Sequence, residues 1–252
     1  NPLTLTNAGN GPLSWNLDLV FPEGVETPPW ELRSSISASL NTGDQRLEGV
    51  VFTGDNYYIS GANGNLPNTI WVLDRDGAKV DSFPQLGNSV WGMKDLDWDG
   101  TLIWGSGARQ VYGFNSEGDS ITSFDGGLRN TQGIAWDPDR QLFWICEIAS
   151  DIKGVNSEGR EQLSLSRCGF LTYGLAYYSA DPDNHPLYVL HDVDGSPVVH
   201  KMNPIDGDTL LVANLQPPNG GKPGGAFITN QMDPYSWVFM NIANATVDVG
   251  GD

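Results

Sequence analysis

Gln132-Gly133-Ile134-Ala135-Trp136-Asp137-Pro138 is followed, after three residues, by Leu142-Phe143-Trp144-Ile145-Cys146-Glu147. A small residue opens a short apolar run, an Asp-Pro pair turns the chain, and a second run is apolar throughout. Runs of this length bounded by Gly, Pro and Asp read as strands rather than as pieces of helix. The order of parts recurs on both sides of this stretch, and the repetition decides the fold.

Five copies align on their first run: Gly49-Val50-Val51-Phe52, Asp95-Leu96-Asp97-Trp98, Gly133-Ile134-Ala135-Trp136, Gly174-Leu175-Ala176-Tyr177 and Gly224-Gly225-Ala226-Phe227. Their starts lie roughly 40–50 residues apart, the period of propeller blades. Small residues at the first and third positions suit a crowded axis, and the aromatic at the fourth suits packing between blades. The second runs are Tyr57 to Ser60, Leu102 to Gly105, Leu142 to Cys146, Leu187 to His191 and Trp237 to Asn241. Nearly all are continuous apolar stretches, as strands buried on both faces should be. Third and fourth strands follow as hairpins whose turns end in Gly77, Gly118, Gly159 and Gly207, residues suited to a left-handed turn position.

The last copy stops short of a fourth strand, and Ala245 to Val249 reads either as its third strand or as a loop. Arg33 to Leu40 alternates like an outer strand and precedes the first copy. It is expected to pair into the last blade, so that no edge stays open. The fold expected is therefore all-β, a five-bladed β-propeller closed by an N-terminal outer strand and occupying residues 30–252. Residues 1–29 differ: Leu3 to Trp15 alternates through Asn10-Gly11-Pro12, and Pro22, Pro28 and Pro29 read as a linker. That stretch resembles a strand pair of the immunoglobulin-like repeats that flank modules in large secreted bacterial proteins.

The chain has 252 residues, 31 acidic against 13 Lys and Arg, and a formal charge of -18. Phosphate binding depends on Lys and Arg, so nucleic acid is not an expected partner, nor is an anionic membrane. No apolar run approaches the ~20 residues of a membrane helix. Cys146 and Cys168 do not make a disulfide framework. Both should emerge on one face of the same blade, where a disulfide is geometrically allowed but two buried free thiols are expected.

In a propeller, residues just before each inner strand and just after each second strand gather on one funnel face. Those expected to bind a ligand there are Glu48, Trp91, Arg109, Gln132, Glu147, Tyr173, His191 and Asp192. Acidic, basic, amide and aromatic groups on loops around a central opening form the default site of such a fold. Asp95-Leu96-Asp97-Trp98-Asp99-Gly100 also matches the opening of a calcium loop, although Ser106 stands where that loop carries Glu. On a strand Asp95 and Asp97 share a face, and two carboxylates ~5 Å apart repel by about 3 kcal/mol at an effective dielectric near 20. They need a metal, a proton, a salt bridge to Lys94 or Arg109, or water. Calcium is the one cofactor the pattern suggests, with Asp95 and Asp97 as its ligands. Asp99-Gly100 is read as a turn. His185, His191 and His200 show no metal-ligand spacing, and no Gly-x-Ser-x-Gly elbow occurs.

Trp91-Gly92-Met93, Leu102 to Gly107, Val111 to Phe114 and Thr131-Gln132-Gly133-Ile134 resemble repeats of the glutaminyl cyclotransferase-like propellers, a five-bladed family. The likeness runs roughly from Arg46 to Thr246. It implies an acidic residue followed by Ser on the first blade's second strand as the catalytic pair, where this chain has Ile59-Ser60, and isoleucine moves no proton. The expectation is a secreted or cell-surface bacterial module, monomeric within a larger chain, that binds a small molecule, glycan or protein on its funnel face without catalysis. The competing expectation is an enzyme of the glutaminyl cyclotransferase, lyase or lactonase kind, with acid/base work falling to Glu48, Glu147, His191 or Asp192. A third is a structural spacer.

Overall fold

A computed structural model describes residues 28–62, 68–218, 220–233, 236–243 and 246–251. The expected immunoglobulin-like strand pair before Pro28 lies outside the described residues. The strands form five four-stranded antiparallel sheets. Strand β1 (Glu31–Ile36) and a single helical turn, α1 (Ala38–Thr42), come first. The first complete sheet follows: β2 (Leu47–Phe52), β3 (Asn56–Gly61), β4 (Thr69–Asp74) and β5 (Lys79–Pro84). The second holds β6 (Asp95–Trp98), β7 (Ile103–Ser106), β8 (Gln110–Phe114) and β9 (Ser120–Asp125). The third holds β10 (Gly133–Asp137), β11 (Leu142–Cys146), β12 (Ile152–Val155) and β13 (Glu161–Leu165). The fourth holds β14 (Thr172–Tyr177), β15 (Leu187–Val193), β16 (Ser196–Met202) and β17 (Thr209–Asn214).

The last sheet is composite. Strands β18 (Pro223–Thr229), β19 (Val238–Ala243) and β20 (Thr246–Gly251) are followed on the outside by β1, from the other end of the chain. Residues 246–251 are thus a strand rather than a loop. Strands β1 and β20 pair antiparallel from Glu31 opposite Gly251 to Ile36 opposite Val247. The outer strand is shorter than Arg33 to Leu40, because the chain leaves it at Ile36 and turns into α1. There Ala38 is buried while Leu40 stays exposed, and the Asn41 amide donates to the Gly77 carbonyl at 2.6 Å. Trp30 packs against Tyr188 and Phe239, at ring-centroid distances of 5.9 and 5.4 Å, and so anchors the start of β1.

The five first strands lie innermost and touch in turn, β2 to β6, β6 to β10, β10 to β14, β14 to β18 and β18 to β2. The chain is an all-β propeller. Its axis is narrow enough to require glycine: a Cβ on Gly49 would come within 2.9 Å of the Asp95 backbone, and one on Gly174 within 2.5 Å of the Ala226 nitrogen. Between the second and third sheets the aromatic residues interlock, with Trp104 4.5 Å from Phe143 by ring centroid. A polar pin recurs in the first hairpin of several sheets. Trp104 Nε1 donates to Asp99, Trp144 Nε1 to Asp137 and the Tyr188 hydroxyl to Asp181, at 2.7, 3.0 and 2.6 Å. Asp99 also accepts the N–H groups of Thr101 and Leu102 at 2.8 Å, which closes the turn read there from the sequence.

Shortening the chain to begin at Ser37 would leave β20 as an open edge without its Trp30 anchor. The melting midpoint is expected to fall by roughly 10 °C or more, with aggregation; an unchanged midpoint would show that β1 contributes nothing.

Candidate functional site

An innermost strand pairs with a neighbour on one side only, so its other edge presents backbone N–H groups that need acceptors. Asp95 supplies them. Its Oδ2 accepts the N–H of Ile134 on β10 at 3.0 Å and of Leu175 on β14 at 2.9 Å. Its Oδ1 accepts the N–H of Ala226 on β18 at 2.9 Å and of Leu96 at 3.1 Å. Two residues along the same strand, Asp97 Oδ2 accepts the N–H of Trp136, so the two-residue step on β6 meets the two-residue step on β10. Both residues are buried, Asp95 1% and Asp97 5% exposed.

This arrangement corrects the calcium expectation. The Asp95 oxygens face N–H donors, whose positive ends occupy the space a cation would need. Lys94 pairs with Glu48 at 2.6 Å and Arg109 with Asp125 at 2.7 Å, so neither side chain's ion pair is with the axial acids. Among the described residues no group of three His, Cys, Asp or Glu side chains is placed to hold a metal. Burial raises the Asp95 carboxyl well above the usual carboxylate range, while the N–H groups of Leu175, Ile134 and Ala226 act against that shift. Burial likewise pushes Asp97 up to about 8, against the N–H groups of Trp136 and Trp98.

Asp97 lines a cavity of about 210 Å³ on the face where the inner strands end. Its walls include Trp98, Trp136, Tyr177 and Phe227, the fourth residues of four of the five aligned copies, together with Trp237. Asp99, Thr229, Asn230 and Gln231 complete much of the polar lining. Tyr177 and Ser179 also border an adjoining cavity of about 380 Å³ that contains Asp139 and Arg140. The Tyr177 hydroxyl donates to Asp139 at 3.1 Å and accepts from Arg140 at 2.9 Å, and the same Arg140 nitrogen reaches Asp137 at 3.1 Å. The fourth-position aromatics were read as packing between blades. Four of them instead meet around one opening, and that shared repeat position is the signal that could have located it.

The residues expected to form the funnel site lie at the opposite ends of the inner strands, and several are held by their own neighbours. Glu48 is ion-paired to Lys94. Arg109 and Asp125 form an exposed pair, with 65% and 50% of their side chains accessible. Gln132 donates to the Tyr173 carbonyl at 3.1 Å and so joins the third sheet to the fourth. Glu147 accepts the N–H of Arg129 at 2.6 Å and of Asn130 at 3.3 Å. His191 is 3% exposed, stacks on Phe170 with centroids 4.3 Å apart, and meets His200 Nδ1 through its Nε2 at 2.8 Å. Burial, with His200 beside it, lowers His191 to about 4 and keeps it neutral at physiological pH. Asp192 Oδ1 is buried without a hydrogen-bond partner. Trp91 is 61% exposed. Nearby Arg109 borders a separate hollow of about 160 Å³ with Met93 and Tyr112.

Ile59, which stands where the resemblance implies an acid, is fully buried in the core. Ser60 beside it accepts the Gly49 N–H and donates to the Met93 carbonyl, both at 2.8 Å, which ties the first sheet to the segment leading into the second. Cys146 and Cys168 are both free, but only Cys146 is buried; Cys168 sits exposed in a left-handed turn with φ 52°.

No family model matches the chain, and no curated protein matches it by sequence. Among solved structures, the crystal structure of Myxococcus xanthus glutaminyl cyclase is similar over 88% of this chain and 96% of its own, with a TM-score of 0.64 and 11% sequence identity. At that identity the likeness establishes the propeller fold.

Asp95→Ala leaves four N–H groups at the axis without an acceptor and is expected to cost roughly 3–5 kcal/mol, measured by denaturant unfolding. Asp97 has a folded pKa raised above its unfolded value. Its stabilising contribution is therefore complete below about pH 4 and is lost as pH rises through about 8. The melting midpoint should fall across that window, and Asp97→Asn should flatten the fall; an equally steep fall in the variant would exclude Asp97 as its source.

Proposed function

We propose that this chain is a five-bladed propeller module of a secreted bacterial multidomain protein, monomeric and closed by β1, that binds a ligand without transforming it. The five sheets and the β1–β20 pairing support the blade count and the closure. The acidic, Lys- and Arg-poor composition and the resemblance of residues 1–29 to flanking repeats support export. Small molecules and glycan units match the size of the cavity better than a folded protein does.

The observation that carries the binding reading is the opening lined by Asp97, Trp98, Trp136, Tyr177, Phe227 and Trp237. Aromatic walls with a few polar groups are what small-ligand sites are made of. The reading moves the ligand from the funnel face expected from the sequence to the opposite one. The non-catalytic part rests on the groups first considered for acid/base work: Glu48, Glu147 and His191 each bond to a neighbour in the fold. A group so held is poorly placed to move a substrate proton.

The enzymatic alternative, a cyclotransferase, lyase or lactonase, draws its support from the fold likeness to glutaminyl cyclase and from the unpartnered oxygen of Asp192. Two assays separate the readings. A ligand-observed NMR screen with small sugars, amino acids and organic ammonium ions is expected to give binders that Trp237→Ala abolishes and Trp91→Ala spares. Incubation with a glutaminyl peptide and with a simple γ-lactone is expected to give no turnover above buffer. Binders lost only in Trp91→Ala would return the site to the funnel face, and turnover lost in Asp192→Asn would establish the enzyme.

A further inference from the structure

Resting on that binding reading, we infer that the cavity takes an organic cation, a substituted ammonium group, with the Asp97 carboxylate as its counter-charge. Five rings, Trp98, Trp136, Tyr177, Phe227 and Trp237, line the opening, and aromatic faces attract cations through their quadrupoles. The lining contains two carboxylates, Asp97 and Asp99, and no Lys, Arg or His. The basic groups nearest to it have other partners. Arg140 is bonded to Asp137 and Tyr177, and Arg75 donates to the carbonyls of Gly54 and Gln231.

The two acids are not equivalent. Asp99 has both oxygens engaged, by the N–H groups of its own turn and by the Trp104 indole. Asp97 receives the Trp136 N–H on Oδ2 and makes no ion pair among the described residues. A buried carboxylate without a counter-ion keeps its proton. An ammonium group entering the cavity would take that proton's place, and the proton would leave to solvent. A neutral sugar stacked on the same rings would displace nothing.

The charged and titratable groups around Asp97 on its neighbouring elements are Asp95 on β6, Asp99 in the following turn, Asp137 with Arg140 after β10, and Tyr177 on β14. Asp95 meets four N–H groups, Asp99 three and Asp137 the Arg140 guanidinium. Burial holds the Tyr177 phenol above its ordinary value. Asp97 lines the opening, which Asp95 does not, and burial raises its carboxyl, so its proton is the one a ligand there would displace.

Calorimetry on the whole chain tests this with four probes: choline, tetramethylammonium, the neutral isostere 3,3-dimethylbutan-1-ol and methyl β-glucoside. Choline and tetramethylammonium are expected to bind, and the isostere about tenfold or more weakly. Choline affinity should rise about tenfold between about pH 6.5 and about pH 8.5, with a heat that changes with buffer ionisation because a proton is released. Asp97→Asn should remove both the pH dependence and about tenfold of the affinity, and Trp237→Ala should weaken binding without touching the acid. Isostere and choline binding equally, or choline binding unchanged in Asp97→Asn, would overturn the cation. Methyl β-glucoside binding while choline does not would also overturn it and leave the binding module standing. Silence from all four probes, with the variants folded, would overturn both.

Discussion

The propeller depends on one carboxylate at its axis. Innermost strands are sheet edges, and edges carry unpaired N–H groups whose burial costs free energy unless an acceptor is found. Asp95 accepts from three neighbouring inner strands and from its own, while its backbone abuts Gly49 on the remaining one. All five first strands thereby converge on a single residue. The glycines at these positions follow from the same crowding: a Cβ on Gly225 would collide with Asp95 Oδ1. The desolvation of the acid is opposed by four N–H dipoles, a different arrangement from a metal, a water channel or a salt bridge.

Much of this fold was legible in the sequence because repetition averages out local ambiguity. The five first runs and five second runs fall on observed strands, and the hairpin glycines Gly77, Gly118, Gly159 and Gly207 all have positive φ. The outer strand of the last sheet runs over Glu31–Ile36 rather than Arg33 to Leu40, since alternation past Ile36 continues into a helical turn whose Ala38 is buried. The role of Asp95 was hidden for a simple reason. Its partners are backbone groups, which no side-chain pattern encodes, so two acids in a slot elsewhere filled by Gly and Ala looked like a pair awaiting a cation.

The aromatic opening was hidden for a different reason. Polar loop residues were counted as candidates one by one, yet Glu147 and Gln132 use their side chains to hold the sheets and loops together. Trp98, Trp136, Tyr177 and Phe227 occupy one position of the repeat, and a position repeated around an axis makes a ring of side chains at one depth. Aromatic residues there serve as packing while the strands run close together and as a wall where they end. Position within the repeat, read across copies, carried information that composition of the loops did not.

The pairing of β1 with β20 sets Glu31 opposite Gly251, so the two ends of the ring leave it side by side from the same corner. Tension applied through both ends would peel these two strands apart one hydrogen-bonded pair at a time, like a zipper, instead of loading every bond at once. The seam also joins positions more than two hundred residues apart in the chain, and such distant contacts form slowly. Load carried through the two ends would therefore fall first on the last sheet.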